Sequence, residues 1–131
     1  MKENRDTSFF IYLSHHTIHG PVIAPDSLVQ KYLDLGYPEE GQDNASYLAA
    51  INHFDNSVGR LTAALKELHL DKNTMVIFYS DNGGVDKQFE QAPLRHAKGS
   101  PYEGGIRVPL IVSWPGEIEP AVVSEPVHVV D

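Results

Sequence analysis

The chain has 131 residues, 41% of them hydrophobic, and a formal net charge of −8, which fits one compact domain or one large piece of a larger domain. Its 10 Lys and Arg residues are scattered, so the sequence offers no basic stripe for a nucleic acid. No apolar run approaches the roughly 18–20 residues of a membrane span. With no cysteine, the chain has no disulfide, no thiolate metal site and no cysteine nucleophile. We therefore expect neither a nucleic-acid partner nor a membrane partner.

The first predicted element is a strand over residues 8–14, where SFFIYLS is a run of aromatic and β-branched residues. Three histidines follow it in the sequence HHTIH (15–19), and glycine and proline then break the pattern. The segment up to residue 42 has only a weak apolar pattern, which predicts a loop with one helical turn.

A long amphipathic helix is predicted from residue 43 to about residue 70. Its apolar residues recur at spacings of four and three: Tyr47, Ile51, Phe54, Val58, Leu61, Leu65 and Leu68. Asp43 or Asn44 can cap the helix start by accepting a hydrogen bond from a free backbone amide. Gly59 costs such a helix about 1 kcal/mol relative to alanine. We therefore expect a neighbouring part of the chain to pack closely against it.

Two further strands are predicted over residues 74–80 and 107–114, because TMVIFYS and RVPLIVSW are nearly continuous apolar runs. The order strand, helix, strand, long loop, strand is typical of an α/β fold with a mainly parallel sheet and flanking helices. We interpret residues 1–131 as a single partial domain of this class. In such sheets ligands bind beyond the carboxyl ends of the strands. The histidines at 15–19 and the sequence SDNGG (80–84) are therefore candidate binding residues.

Asp81 and Asn82 offer a carboxylate and an amide carbonyl, the hard oxygen donors that Ca²⁺ or Mg²⁺ binds. The two glycines that follow let the backbone turn tightly beside them. Two ligands do not complete a site, because calcium takes about six to eight oxygens. An ordinary turn after a strand is the alternative, since Asp-Asn-Gly-Gly is also a favourable turn sequence.

Lys98 lies in the glycine-rich segment RHAKGSPYEGG (95–105). An ammonium group there could neutralise the oxygens of an anionic ester or of a leaving group. A solvated loop lysine is the alternative. Glu103 and Arg107 could act as a general acid and an anion contact, but we interpret them as a salt bridge that braces the loop.

His16 and His19 lie in a segment that we do not expect to be helical, after the first predicted strand. A neutral imidazole there could hydrogen-bond an ester oxygen, and a charged imidazole could hold an anion. A transition-metal site of two histidines and one carboxylate is the alternative. It is less favoured because neither an HxH nor an HExxH spacing is present.

Three segments taken together resemble the type I sulfatases of the alkaline-phosphatase-like superfamily. The segments are FFIYLSHHTIHGPV, HFDNSVGRLTAALKELHLDKNTMVIFYSDNGG and LRHAKGSPYEGGIRVPLIVSWPG, in the family's order. The resemblance covers nearly the whole chain except about residues 24–42, and it corresponds to the C-terminal part of the catalytic domain. It implies sulfate ester hydrolysis by a calcium-assisted formylglycine mechanism, in a parent protein that is secreted, periplasmic or lysosomal-like.

The resemblance also implies roles for individual residues. Asp81 and Asn82 match two of the family's calcium ligands, and Mg²⁺ is the alternative ion. Lys98 matches a lysine that contacts the sulfate. His19 matches the second histidine of an HxPHxP-type turn, which also contacts the sulfate, although Ile18 replaces the usual proline. Lys98 and His19 are thus the candidate catalytic and substrate-binding residues, and Glu103 and Arg107 are carried over as architecture.

The family's nucleophile is not found in this sequence. Family members carry a C/S-x-P-x-R motif whose Cys or Ser becomes formylglycine, and the chain has neither a cysteine nor a Ser-x-Pro-x-Arg. The pair of aspartates that completes the family's calcium shell is also missing, as are the lysine and histidine beside the formylglycine. Asp131 resembles the acid that opens the family's next helix. We therefore expect a truncated part of a sulfatase that is inactive alone.

Two other functions stay open. Metal and cationic contacts would serve a phosphate or phosphonate monoester hydrolase of the same superfamily equally well. A truncated product without catalytic activity, which acts by binding or not at all, is the second alternative. Because strands central to the sheet are expected elsewhere, exposed strand edges predict self-association of the 131-residue chain.

Overall fold

The computed structural model describes residues 1–4, 6–86, 91–128 and 130. Its elements are a 3-10 helix at Lys2–Asn4, α1 at Asp26–Asp34, α2 at Ala45–Glu67, a 3-10 helix at Asp71–Asn73, β1 at Val76–Tyr79, α3 at Glu103–Ile106 and β2 at Leu110–Ser113. None of the helices described has both the length and the apolar character that a membrane crossing needs. Asp131, the acid that resembles a helix start, lies outside the described residues.

The predicted long helix is confirmed as α2. Asn44 is its N-cap, since the Asn44 side chain accepts a hydrogen bond of 2.9 Å from the backbone N–H of Tyr47. The same side chain donates to the carbonyl of Gly41 at 2.8 Å, which ties the cap to the preceding loop. The close packing expected at Gly59 is wrong: apart from its chain neighbours and the nearby backbone of the same helix, no described atom lies within 4 Å of the position that a Cβ would take there. Gly59 is exposed to solvent.

Residues 26–34 form a complete helix, α1, where the weak pattern had predicted a loop with one helical turn. Its half-buried residues are Leu28, Val29, Tyr32 and Leu33, which recur at helical spacing. Nine residues give this pattern too few repeats to stand out from the surrounding polar sequence. The helix packs against α2, and Lys31 Nζ donates to Asn52 Oδ1 across the contact at 2.9 Å.

The small core lies along α2 and differs from the predicted apolar stripe. The buried apolar residues are Ala45, Tyr47, Ala49, Ala50, Leu65 and Ala97. Four of these six are alanines, whose short side chains let other parts of the chain approach closely. Of the stripe, Tyr47 and Leu65 are buried, whereas the other members are less buried; Ile51, for example, is 37% exposed.

The strands predicted over residues 74–80 and 107–114 are confirmed in shorter form, as β1 and β2, and they pair in antiparallel register, Val76 with Ser113 and Tyr79 with Leu110. The mainly parallel sheet is not confirmed, because the described residues contain this two-stranded antiparallel sheet only. Phe78 of β1 contacts Phe54 of α2, with ring centroids 6.0 Å apart. This contact sets the end of β1 near the middle of α2.

The strand predicted over residues 8–14 is wrong for this structure. In the part of the chain that the structure describes, these residues pair with neither β1 nor β2. Phe10 is 89% exposed and Tyr12 is 82% exposed. A strand is stabilised by pairing, and an apolar run without a paired neighbour remains irregular whatever its β-propensity.

Candidate functional site

Asp81 and Asn82 lie directly after β1, as predicted. Ser80 fixes the turn: its backbone N–H donates to the carbonyl of Pro109 at 3.4 Å, and its hydroxyl donates to the carbonyl of Asn82 at 3.0 Å. The Asp81 side chain is exposed and Asn82 is half-buried. Among the described residues, neither side chain has a hydrogen-bond or ion-pair partner, so their oxygens are available to a ligand.

Glycines join this turn to the lysine loop, residues 95–105, which carries Lys98. The backbone N–H of Gly83 donates to the carbonyl of Gly105 at 2.9 Å, and that of Lys98 donates to the carbonyl of Gly84, also at 2.9 Å. A Cβ added at Gly83 would overlap the carbonyl oxygen of Gly104. Only glycine permits this approach. The two glycines of SDNGG therefore set the Asp-Asn turn against the lysine loop.

The lysine loop itself is held by its backbone. The N–H of Gly104 donates to the carbonyl of Arg95 at 2.8 Å, and a Cβ added at Gly104 would overlap the carbonyl oxygen of His96. Both Gly104 and Gly105 are buried, whereas Lys98 is exposed. Within the described residues, the Lys98 ammonium has no ion-pair partner. The loop is fixed from inside while its cation faces solvent.

Glu103 and Arg107 form the predicted salt bridge, with 3.5 Å between Glu103 Oε1 and Arg107 Nη1. Both side chains are more than half exposed and lie one helical turn apart across α3. Such a pair contributes about 0.3–0.5 kcal/mol. The predicted salt bridge is therefore present as a weak, exposed pair.

Residues 15–19, the histidine turn, are attached to α2 through contacts of His15. Its Nε2 lies 2.9 Å from Ser57 Oγ, and its ring meets the ring of Phe54 edge to face at 4.8 Å. Phe54 also contacts Phe78. The Phe54 side chain of α2 therefore connects the histidine turn to β1. Sequence reasoning missed the role of His15, because Ser57 is 42 residues away and no spacing rule connects the two.

His19 is exposed, and its Nδ1 lies 2.9 Å from the carbonyl oxygen of Gly20. A carbonyl only accepts hydrogen bonds, so Nδ1 carries the proton and Nε2 is left to face a ligand. The His16 ring lies 5.1 Å away, tilted by 34°. Among the described residues, no hydrogen bond or ion pair joins His19 to Lys98 or to the Asp-Asn turn.

Ile18 adopts an unusual backbone conformation within the histidine turn. Its φ is 75°, in the left-handed region that β-branched residues rarely adopt. A proline, whose φ is fixed near about −65°, cannot occupy that conformation. The replacement of the usual proline by Ile18 is therefore accompanied by a different backbone path.

The donor chemistry of the Asp-Asn turn suits calcium, but the number of donors does not complete a site. Asp81 and Asn82 supply two of the about six to eight oxygens that calcium takes. Within residues 1–4, 6–86, 91–128 and 130, no group of three or more His, Asp or Glu side chains converges as a metal site would require. The remaining ligands would have to come from outside this group.

Known proteins are similar to this chain along its whole length. A family model described as Sulfatase matches residues 1–131. The chain is 38% identical over 140 residues to a sulfatase from Formosa agariphila, covering 99% of this chain and 25% of that protein. It is 31% identical over 127 residues to human arylsulfatase A, covering 94% of this chain and 23% of that protein.

Among solved structures, the chain is similar to the crystal structure of Ps i-CgsB, with 33% identity and a TM-score of 0.71 over 82% of this chain and 23% of that one. The chain thus spans about a quarter of the length of the curated relatives named here. Because the family model matches its whole length, the chain belongs to the sulfatase family.

Proposed function

We propose that this chain is part of a sulfate ester hydrolase and supplies metal and sulfate contacts to its active site. The observation that supports the proposal is the backbone hydrogen bond of 2.9 Å between the Lys98 N–H and the Gly84 carbonyl, which joins the loop carrying Lys98 to the segment that follows Asp81 and Asn82. The family supports it, since relatives include proteins named arylsulfatase A, steryl-sulfatase and N-acetylgalactosamine-6-sulfatase.

In this proposal Asp81 and Asn82 would hold a calcium ion, with Mg²⁺ as the alternative, and a bound ion would supply positive charge near the ester oxygens. Lys98 contacts the sulfate as a point charge. His19 already donates from Nδ1 to Gly20, so it contacts a sulfate oxygen only as an imidazolium that donates from Nε2. Negative charge develops on the leaving oxygen as the S–O bond breaks, and the Lys98 ammonium and the His19 imidazolium stabilise it.

The nucleophile is proposed to be a formylglycine that this sequence does not contain, since it has no C/S-x-P-x-R motif. The 131-residue chain alone should therefore show no turnover. A mainly parallel sheet is likewise proposed for the complete catalytic domain, with β1 and β2 as its antiparallel part.

The test compares the rates at which the complete gene product hydrolyses two esters. Initial rates are measured on 4-nitrophenyl sulfate and on 4-nitrophenyl phosphate at equal concentrations, with the purified 131-residue chain as a parallel sample. We expect the complete protein to hydrolyse the sulfate faster and the chain alone to hydrolyse neither. Preference for the phosphate would favour the phosphate or phosphonate hydrolase, and inactivity of the complete protein on both would favour a product without catalytic activity. Turnover by the chain alone would contradict the missing nucleophile.

A further inference from the structure

The lysine loop carries a second exposed cation that the proposed function does not use. The guanidinium carbon of Arg95 lies 3.8 Å from the centroid of the Tyr102 ring. The ring of His96 also stacks on Tyr102, at 4.7 Å between centroids and 22° between planes. All three side chains are exposed, so this stack lies on the surface.

A stacked arginine is well prepared to bind an anion. Stacking uses the flat face of the guanidinium, and the five N–H donors lie in its plane and stay available for a bidentate contact. Contact with the ring also restricts the Arg95 side chain before a ligand arrives, which lowers the conformational entropy lost on binding.

Arg95 has no anionic partner among the described residues. This is unexpected from composition, because the chain has 18 Asp and Glu residues for 10 Lys and Arg residues. An arginine that only braced the fold would be expected to use one of these carboxylates. Since none of the described carboxylates pairs with it, its donors are left open to an anion.

The position of Arg95 is fixed relative to the candidate sulfate site. Its carbonyl accepts the N–H of Gly104 at 2.8 Å, and Gly104 is the residue over which Gly83 packs. Lys98 follows three positions later in the loop. Three residues span at most about 11 Å, so the backbone positions that carry the two cations lie close together in the loop.

We propose that Arg95, held by Tyr102, forms a second anion-binding subsite beside Lys98, and that it favours sulfate esters with a further sulfate or carboxylate group, such as sulfated saccharides. The assignment of the first group to Lys98 rests on the proposed function. The subsite itself rests on the stacking geometry and on a guanidinium that has no anionic partner in the described part of the chain.

Binding of sucrose octasulfate to the complete gene product, measured by calorimetry, tests the subsite without requiring turnover. Arg95→Ala and Arg95→Gln should each weaken binding about tenfold or more, as expected for a lost hydrogen-bonded charge contact. Arg60→Ala, which removes an exposed arginine of α2, is the matched control and should change the affinity by less than about twofold. Tyr102→Leu should weaken binding, whereas Tyr102→Phe, which keeps the ring, should not.

Kinetics separate this subsite from a structural role. With Arg95→Gln, the KM for a disulfated disaccharide should rise while kcat/KM for 4-nitrophenyl sulfate and the melting temperature stay unchanged. An equal loss of kcat/KM on both substrates, or a lowered melting temperature, would show that Arg95 has only a structural role and would overturn the proposal. So would unchanged sucrose octasulfate binding in the Arg95 variants or no binding by the wild type. Failure of the proposed function would appear separately, as an absence of sulfate ester hydrolysis beside intact Arg95-dependent binding.

Discussion

Single glycines determine whether the candidate site forms at all. Gly83 and Gly104 meet where a Cβ on either would overlap a backbone carbonyl oxygen. The charged groups on the two loops are exposed and contribute little packing, so their relative positions depend on this backbone contact. A glycine at these positions is therefore as important as the lysine or the aspartate that it positions.

Gly104→Ala should destabilise the chain, because the added Cβ would overlap the carbonyl oxygen of His96 and the backbone would have to move. We expect a loss of about 1–3 kcal/mol in the free energy of unfolding, measured by urea denaturation. Gly59→Ala is the matched control, since it adds a Cβ inside a helix with nothing within 4 Å. It should gain about 1 kcal/mol. Equal effects of the two substitutions would contradict the close packing.

Tyr47 makes stability depend on alkaline pH. Burial raises the pKa of its hydroxyl above the ordinary value of 10.0, and the charge of Asp43 raises it further. Between the unfolded and the folded pKa, the folded chain keeps a proton that the unfolded chain has released. The free energy of unfolding therefore falls as pH rises above about 10, by at most about 1.4 kcal/mol per pH unit. Below that pH this contribution is fully present.

Tyr47→Phe removes this titration. Urea denaturation between about pH 9 and pH 11 should show a shallower fall in the free energy of unfolding for the variant than for the wild type. Parallel curves for the two proteins would show that Tyr47 ionises equally in both states.

At the scale of elements, the predictions that succeeded rest on local sequence. The spacing of apolar residues and the cap at Asn44 both act within one helix, so α2 was predictable. The predictions that failed depend on distant partners. Residues 8–14 have strand propensity but no paired strand in the described structure, and α1 is defined as much by its packing on α2 as by its own short pattern.

In the candidate site, too, local sequence predicts some features and contacts between distant residues determine the others. Spacing alone could not choose between a turn and a metal ligand at Asp81, and the family resemblance supplied that assignment. No sequence pattern indicated that His15 contacts Ser57 or that Arg95 stacks on Tyr102, because side-chain contacts of these kinds depend on how the loops fold.

Asn44→Ala should destabilise α2, since the Asn44 side chain satisfies the free N–H of Tyr47 and also bonds Gly41. We expect a loss of about 1 kcal/mol, seen as a lower melting temperature in a circular dichroism experiment. Asn56→Ala, in the exposed interior of the same helix, is the control and should cause no loss, because alanine favours the helix. A lower melting temperature for Asn56→Ala than for Asn44→Ala would contradict the capping role.

At the scale of the whole molecule, the described part of the chain exposes more large apolar side chains than it buries. Phe10 is 89% exposed and Val122 is 99% exposed, and two paired residues of the sheet, Ile77 and Val112, are 59% and 41% exposed on one face. The buried apolar core described above is made mostly of alanines. An apolar surface of this kind favours association.

The 131-residue chain should therefore self-associate. Sedimentation velocity over a range of concentrations should show an average sedimentation coefficient that rises with concentration, with and without added Ca²⁺. A concentration-independent monomer whose melting temperature rises with calcium would contradict this expectation and would favour a chain that is stable by itself.

The most direct test of the central claim is the effect of Lys98→Ala on the complete gene product, because that claim joins the Lys98 ammonium to the Asp-Asn turn in one sulfate site. The value to measure is kcat/KM on 4-nitrophenyl sulfate, with Lys66→Ala, an exposed lysine of α2, as the control. We predict a fall of about 10²-fold or more for Lys98→Ala, as for the loss of one preorganised contact to a developing oxyanion, and little change for Lys66→Ala. A Lys98→Ala enzyme that keeps the wild-type kcat/KM would contradict the account.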